Sequence, residues 1–177
     1  MRPSRRRYDE PTPSVAEPRP VLLAAVRDFV GDAIGCAGVL RVSLIGSLTT
    51  NKSVPKDADV LVTIDNGMDL TKLARAGRRL KGRAQGINLG GDIFLADVTG
   101  RYLGRICRYR ECHPRMLCRA RHCGLRDHLN DDLDIVTLSG GLIAAPPIEL
   151  WPNVKRRVPV PADVEAILLA ELERRQA

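Results

Sequence analysis

The chain has 177 residues and a formal net charge of +7, with 44% hydrophobic and only 3% aromatic residues. That length supports one domain of ordinary size, with a core built from Leu, Val, Ile and Ala. The charge favours anionic partners, and the absence of an apolar span of about 18 residues excludes a membrane-spanning helix from the sequence reading.

Residues 1–19 combine Arg2, Arg5, Arg6 and Arg7 with Pro11, Pro13, Pro18 and Pro20 just beyond. Such a composition buries little apolar area, so a disordered tail is expected, serving either as a solubilising arm or as a nucleic-acid contact. A single domain is expected over 20–177. Its core occupies 20–107, a cysteine- and histidine-rich segment 107–128, and a C-terminal extension with a helix 129–177. The apolar stretch at 21–26 is too short for a secretory signal, so a cytoplasmic location is expected.

The run from Val21 to Val30 repeats apolar residues at helical spacing behind Pro20, which predicts a helix over 20–34. Gly35 and Gly38 end it, and Arg41-Val42-Ser43-Leu44-Ile45 reads as a strand over 39–45 that closes on Gly46-Ser47. After nine intervening residues, Asp57-Ala58-Asp59 opens a second strand, Val60-Leu61-Val62-Thr63-Ile64. Residues at i and i+2 of a strand share a face, so Asp57 and Asp59 point the same way. Two such carboxylates suit Mg²⁺, which is held by hard oxygen ligands and the phosphates of a substrate. Gly46 lets the backbone approach a phosphate, and Ser47 offers N–H and O–H donors.

Asp65-Asn66-Gly67 is a turn signal, and Asp69 caps a helix predicted over 70–82. That helix buries Leu70, Leu73, Ala74, Ala76, Gly77 and Leu80 and carries Lys72, Arg75, Arg78, Arg79, Lys81 and Arg83 outward, as a nucleic-acid surface or a solvated face. A third strand over 92–98 turns at Thr99-Gly100 into Tyr102–Cys107. It holds two further acidic residues, Asp92 and Asp97, which parity places on opposite faces of a regular strand, so at most one joins Asp57 and Asp59. Asp97 also fits a turn-acceptor role.

Ile45, Gly46, Ser47, Asp57, Ala58, Asp59 and Val60 together resemble the motif of the minimal nucleotidyltransferases of the DNA polymerase beta-like superfamily. That motif has an apolar residue, Gly and Gly or Ser, a gap of about ten residues, then Asp, an apolar residue, an acidic residue and another apolar residue. The resemblance spans residues 39–107. It implies an α/β fold with a small mixed β-sheet and flanking helices, here with an added Cys/His-rich loop region. It also implies a third carboxylate on a later strand, for which Asp92 is preferred and Asp97 is the alternative. In such a site Asp57, Asp59 and Asp92 bind Mg²⁺ and Gly46-Ser47 binds the triphosphate of an NTP. The loop after Ser47 lacks the arginine that many relatives carry, leaving Lys52 and Lys56 as the nearby cations for the phosphates.

Cys107, Cys112, Cys118 and Cys123 are separated by four, five and four residues, with His113, His122 and His128 among or near them. Structural Zn²⁺ on the four cysteines, with His113 or His122 as alternate ligands, competes with free thiols and with disulfide or redox chemistry. Arg105, Arg108, Arg110, Arg115, Arg119, Arg121 and Arg126 surround the cluster, as a nucleotide or RNA surface would require. Cys36 stands apart as a small buried hydrophobe. Asn130-Asp131-Asp132-Leu133-Asp134 reads as a turn or cap, the segment 144–152 with Trp151 as an extended piece packed over the core, and 161–172 as an amphipathic helix.

The expected activity is transfer of a nucleoside monophosphate from an NTP to an unidentified acceptor, which is a protein, an RNA or a small molecule. An antitoxin-like protein that nucleotidylates a partner is one form of it. The alternative is a non-catalytic, zinc-stabilised module on the same fold that binds nucleic acid or protein.

Overall fold

The computed structural model describes residues 17–107, 109, 126–131 and 137–177. Residues 1–16 of the tail expected over 1–19, and the ligand candidates Cys112, Cys118, Cys123, His113 and His122, lie outside the described residues, whereas Pro18 and Arg19 belong to the first helix rather than to a tail.

Helix α1 runs from Pro18 to Ile34, two residues earlier than predicted, with the paired prolines in a first turn whose N–H groups need no partner. Strand β1 is Val39–Ile45, followed by a single 3₁₀ turn, Gly46–Thr49. Strand β2 covers Asp57–Ile64, so both carboxylates of the Asp-Ala-Asp motif belong to it. Helix α2 is Thr71–Gln85, and the Asp69 carboxylate accepts from Thr71 N (2.9 Å) and Oγ1 (2.7 Å), capping from two residues upstream. Strands β3 (Gly90–Ala96) and β4 (Tyr102–Ile106) form the expected hairpin, with β3 shifted two residues toward the N-terminus.

Two short strands complete the sheet. Strand β5 is Leu129–Asn130, and β6, Ile148–Trp151, pairs antiparallel with β1. The predicted extended piece over the core is therefore in part an edge strand. The last helix starts as a wide π-type turn at Val164–Leu169 and continues as α3, Ala170–Gln176.

The fold is mixed α/β; among the described residues six strands run in the order β5-β4-β3-β2-β1-β6, with β2 and β3 parallel and the other neighbours antiparallel. Strand alternation divides the sheet. Val42, Leu44, Ala58, Val60, Val62, Ile64, Ile93 and Leu95 share one core with Leu22, Leu23, Phe29, Leu73, Leu80 and Leu168 of the helices. Each fully buried apolar side chain of this size contributes about 1.5–3 kcal/mol relative to exposure. Ser43, Asp57, Asp59, Asp92, Phe94, Arg105 and Glu149, in the opposite phase, occupy the face away from the helices.

The cationic side of α2 is largely committed within the molecule. Arg79 donates to Asp32 of α1 (2.6 and 3.1 Å), Arg83 to Asp28, and Arg78 to the Tyr109 carbonyl at 3.3 Å. Lys81 reaches Asp92 at 3.4 Å. These pairings tie α2 to α1 and to β3, so four of the six predicted outward cations have internal partners.

Candidate active site

Strand β1 stops where Gly46 adopts φ +73°, a left-handed conformation that is unstrained for glycine. The position is also sterically closed, because a Cβ there would stand 2.7 Å from Asp59 Oδ2. Glycine thus serves the turn and the approach of backbone to carboxylate together. Gly46 N donates to Leu142 O at 2.9 Å, Thr49 Oγ1 to Gly46 O at 2.7 Å, and Thr50 Oγ1 to Ser47 O at 2.9 Å. Among the described residues Ser47 Oγ is buried without a hydrogen-bond partner, one residue after the glycine that abuts Asp59. Replacing Gly46 by Ala is expected to cost about 1–3 kcal/mol through the strained φ and the displaced Asp59 carboxylate, measured as the shift of a urea midpoint at constant slope.

The loop beyond is held from behind by a residue that composition had assigned to the tail. Arg19 donates to the carbonyls of Leu48 (3.3 Å), Thr50 (3.0 Å) and Lys52 (2.8 Å) and forks onto both oxygens of Asp163 (2.5 and 3.0 Å). Its side chain is 11% exposed. The only signal in the sequence is an arginine between two prolines at a helix start, which carries no information about a carboxylate 144 positions away.

Three carboxylates lie on one face of the parallel pair. Asp59 of β2 is in register with Asp92 of β3, and Asp57 with Gly90. Asp57, Asp59 and Asp92 therefore share the face away from the helices, and Gly90 leaves the place beside Asp57 free of a side chain, since a Cβ there would collide with the Asp57 carboxylate. Asp59 is only 7% exposed. Burial, then the charges of Asp57 and Asp92, push its carboxyl up to about 7, with Arg105 opposing. Asp92 is balanced by two cations, Lys81 Nζ at 3.4 Å and an Arg105 guanidinium nitrogen at 3.3 Å.

Asp97, the alternative third carboxylate, lies beyond the end of β3 and closes the hairpin instead. It accepts from Thr99 Oγ1 (2.6 Å), Thr99 N (2.9 Å), Arg101 N (2.9 Å) and Arg101 Nε (3.2 Å). The hydrogen bonds from Thr99, with those from Arg101, hold its carboxyl below the usual range. Lys52 and Lys56 are exposed on the loop between Ser47 and Asp57. Cys107 is buried after β4, with its N–H donating to the His128 carbonyl at 2.7 Å.

Among the described residues no three His, Cys, Asp or Glu side chains are drawn together tightly enough to form a ready metal cage. Mg²⁺ needs less than a cage, because one or two carboxylates and substrate phosphates suffice. Asp57 and Asp59, an open hydroxyl at Ser47 and a left-handed glycine against Asp59 make a donor set that fits a divalent cation carrying a phosphate.

Comparison with protein families, with curated proteins and with solved structures returns no match for this chain. Among the described residues no helix is long and apolar enough to cross a membrane.

Proposed function

We propose that the chain is a Mg²⁺-dependent nucleotidyltransferase, moving a nucleoside monophosphate from an NTP to an acceptor hydroxyl or phosphate. The observation that carries this reading is the β2–β3 register, which sets Asp59 beside Asp92 on the face that also bears Asp57, with Gly46-Ser47 against Asp59. The resemblance of Ile45-Gly46-Ser47 and Asp57-Ala58-Asp59-Val60 to the minimal nucleotidyltransferase motif agrees with it.

Asp57 and Asp59 would hold the metal and Asp92 would complete the site. A bound divalent cation supplies charge stabilisation for attacking and leaving oxygens in an in-line displacement. Ser47 Oγ and the Ser47 N–H bind and orient the triphosphate, while Gly46, its own N–H given to Leu142, shapes the turn. The Asp92 carboxylate accepts the acceptor's proton as the new bond to the α-phosphorus forms and the bond to pyrophosphate breaks. Lys81 Nζ at 3.4 Å and an Arg105 guanidinium nitrogen at 3.3 Å orient that carboxylate.

Incubation with Mg²⁺ and each of four labelled NTPs tests the reading directly, with the Asp57→Asn/Asp59→Asn variant as control. The wild type is expected to release pyrophosphate and label an acceptor. The variant is expected to lose at least about 100-fold, since even outer partners of metal ligands are worth 10–100-fold. A second reading, a non-catalytic binding module, draws on the pairing of Asp92 with Lys81 and Arg105, which a purely structural carboxylate would share. Absence of turnover with all four nucleotides and a range of acceptors selects it.

A further inference from the structure

On the same face of the sheet, one strand beyond β1, Glu149 of β6 is buried and ringed by three cations. Arg41 Nε lies 3.8 Å from its carboxylate, Lys155 Nζ 3.7 Å, and an Arg157 guanidinium nitrogen 3.6 Å. None closes to a hydrogen bond, and all three side chains are more than half exposed. One carboxylate thus gathers three cations and leaves a surplus of positive charge facing solvent.

The backbone fixes the spacing of these charges. Glu149 and Lys155 exchange both main-chain hydrogen bonds (3.0 and 3.1 Å), extending the sheet edge by one bridge. Arg156, between Lys155 and Arg157, turns the other way and is consumed by Glu165 and Glu173, so Lys155 and Arg157 flank it on the side of Glu149.

The cluster also stands at a defined place relative to the carboxylates. Glu149 is in register with Ser43, and Ile45, two residues on, is in register with Asp59. Two strand spacings and two residue rises give about 12 Å between Glu149 and Asp59. That is three to four stacked nucleotides at about 3.4 Å each.

We propose that Arg41, Lys155 and Arg157 seat the phosphates of a single-stranded nucleic acid whose terminal hydroxyl is the acceptor at Asp92, and that Glu149 holds the three cations in place. The assignment of the acceptor rests on the transferase reading, whereas the seat itself is a binding site that stands or falls without turnover. Guanidinium forks match phosphate oxygens bidentately, a fit that the carboxylates of an acidic protein share only one residue at a time, whereas a nucleic-acid strand presents a phosphate at every nucleotide.

The test is fluorescence anisotropy of a short labelled single-stranded RNA, and of the DNA of the same sequence, across a NaCl series. Polyglutamate of equal charge is the competing probe. Two variants are compared with the wild type: Arg157→Gln, at an exposed side chain, and Arg41→Gln/Glu149→Gln/Lys155→Gln/Arg157→Gln, which removes the buried carboxylate together with its cations so that no charge is left stranded. With a slope of about −0.7 per neutralised phosphate on single strands, the quadruple variant is expected to lose about two units of the log–log salt slope and Arg157→Gln about 0.7. The titrations are run without NTP, so oligonucleotide binding by a protein that releases no pyrophosphate separates failure of catalysis from failure of the seat. Unchanged affinity and slope in folded variants, no binding of either oligonucleotide, or preference for polyglutamate through the same residues would each overturn the proposal.

Discussion

Asp59→Asn is expected to stabilise the metal-free protein at pH 8 by about 2–4 kcal/mol while removing its response to Mg²⁺. The Asp59 carboxyl rises from an ordinary value of 3.8 to about 7, first through burial and then through the charges of Asp57 and Asp92. The folded state thus binds this proton more tightly than the unfolded chain does. The corresponding stability is fully present below the ordinary carboxylate value and is lost as pH climbs through about 7. At pH 8 the wild type carries an ionised, buried carboxylate flanked by two like charges, whereas Asn keeps the shape without the charge. A shift of about three units is worth about 4 kcal/mol, the upper end of the range for a coupled site. At about 2–4 °C per kcal/mol for a chain of this size, the melting temperature should rise by about 5–15 °C at pH 8 and differ little at pH 4.

A thermal-shift series in EDTA from pH 4 to 8, repeated with added Mg²⁺, reads both halves of the prediction. Mg²⁺ should raise the melting temperature of the wild type and leave the variant unchanged, because a cation offsets the repulsion that the substitution removes. A variant less stable than wild type at pH 8 would mean that favourable partners hold the carboxylate, and the metal reading would lose its electrostatic basis. Stability given up at one residue for the sake of a ligand is a common pattern at functional sites.

Arg19→Met should have the second large effect, a loss of about 2–4 kcal/mol. The value lies below the 3–5 kcal/mol typical of breaking a fully buried pair, because Asp163 is 29% exposed and partly screened by solvent. Three carbonyls of the loop at 48–52 also lose their donor, so the effect should be local as well as global. Urea denaturation measures the first. Amide exchange measures the second, as faster exchange in the segment that carries Ser47 and in the turn starting at Val164. Arg19→Lys should recover less than half, since one ammonium cannot span five acceptor atoms in two directions. A double-mutant cycle with Asp163→Asn isolates the pair from the carbonyl contacts.

Both experiments act on features of very different legibility. The Gly46-Ser47 turn and the shared face of Asp57 and Asp59 follow from strand alternation, which is local and survives any tertiary arrangement. The same holds for α1, β1, β2 and α2, whose apolar periods place each within two or three residues of its observed bounds. The choice between Asp92 and Asp97 is half legible: parity separates them, but only pairing with β2 decides which one faces Asp59. Asp97 is instead taken up by a turn whose donors are its own near neighbours.

What the chain alone determined, then, is a succession of strands and helices, a glycine turn and a pair of carboxylates on one face, because those properties depend on neighbours within a few residues. The tertiary structure decided which strands lie side by side. It thereby set the register that brings Asp92 to Asp59, the pull of Arg19 on the loop after Ser47, the commitment of the α2 cations to Asp28, Asp32 and Asp92, and the convergence of Arg41, Lys155 and Arg157 on Glu149. Each of these joins residues far apart in sequence, and such partners are selected by the packing of the whole core. Charge composition counts cations, but only packing determines which of them remain free to meet a ligand.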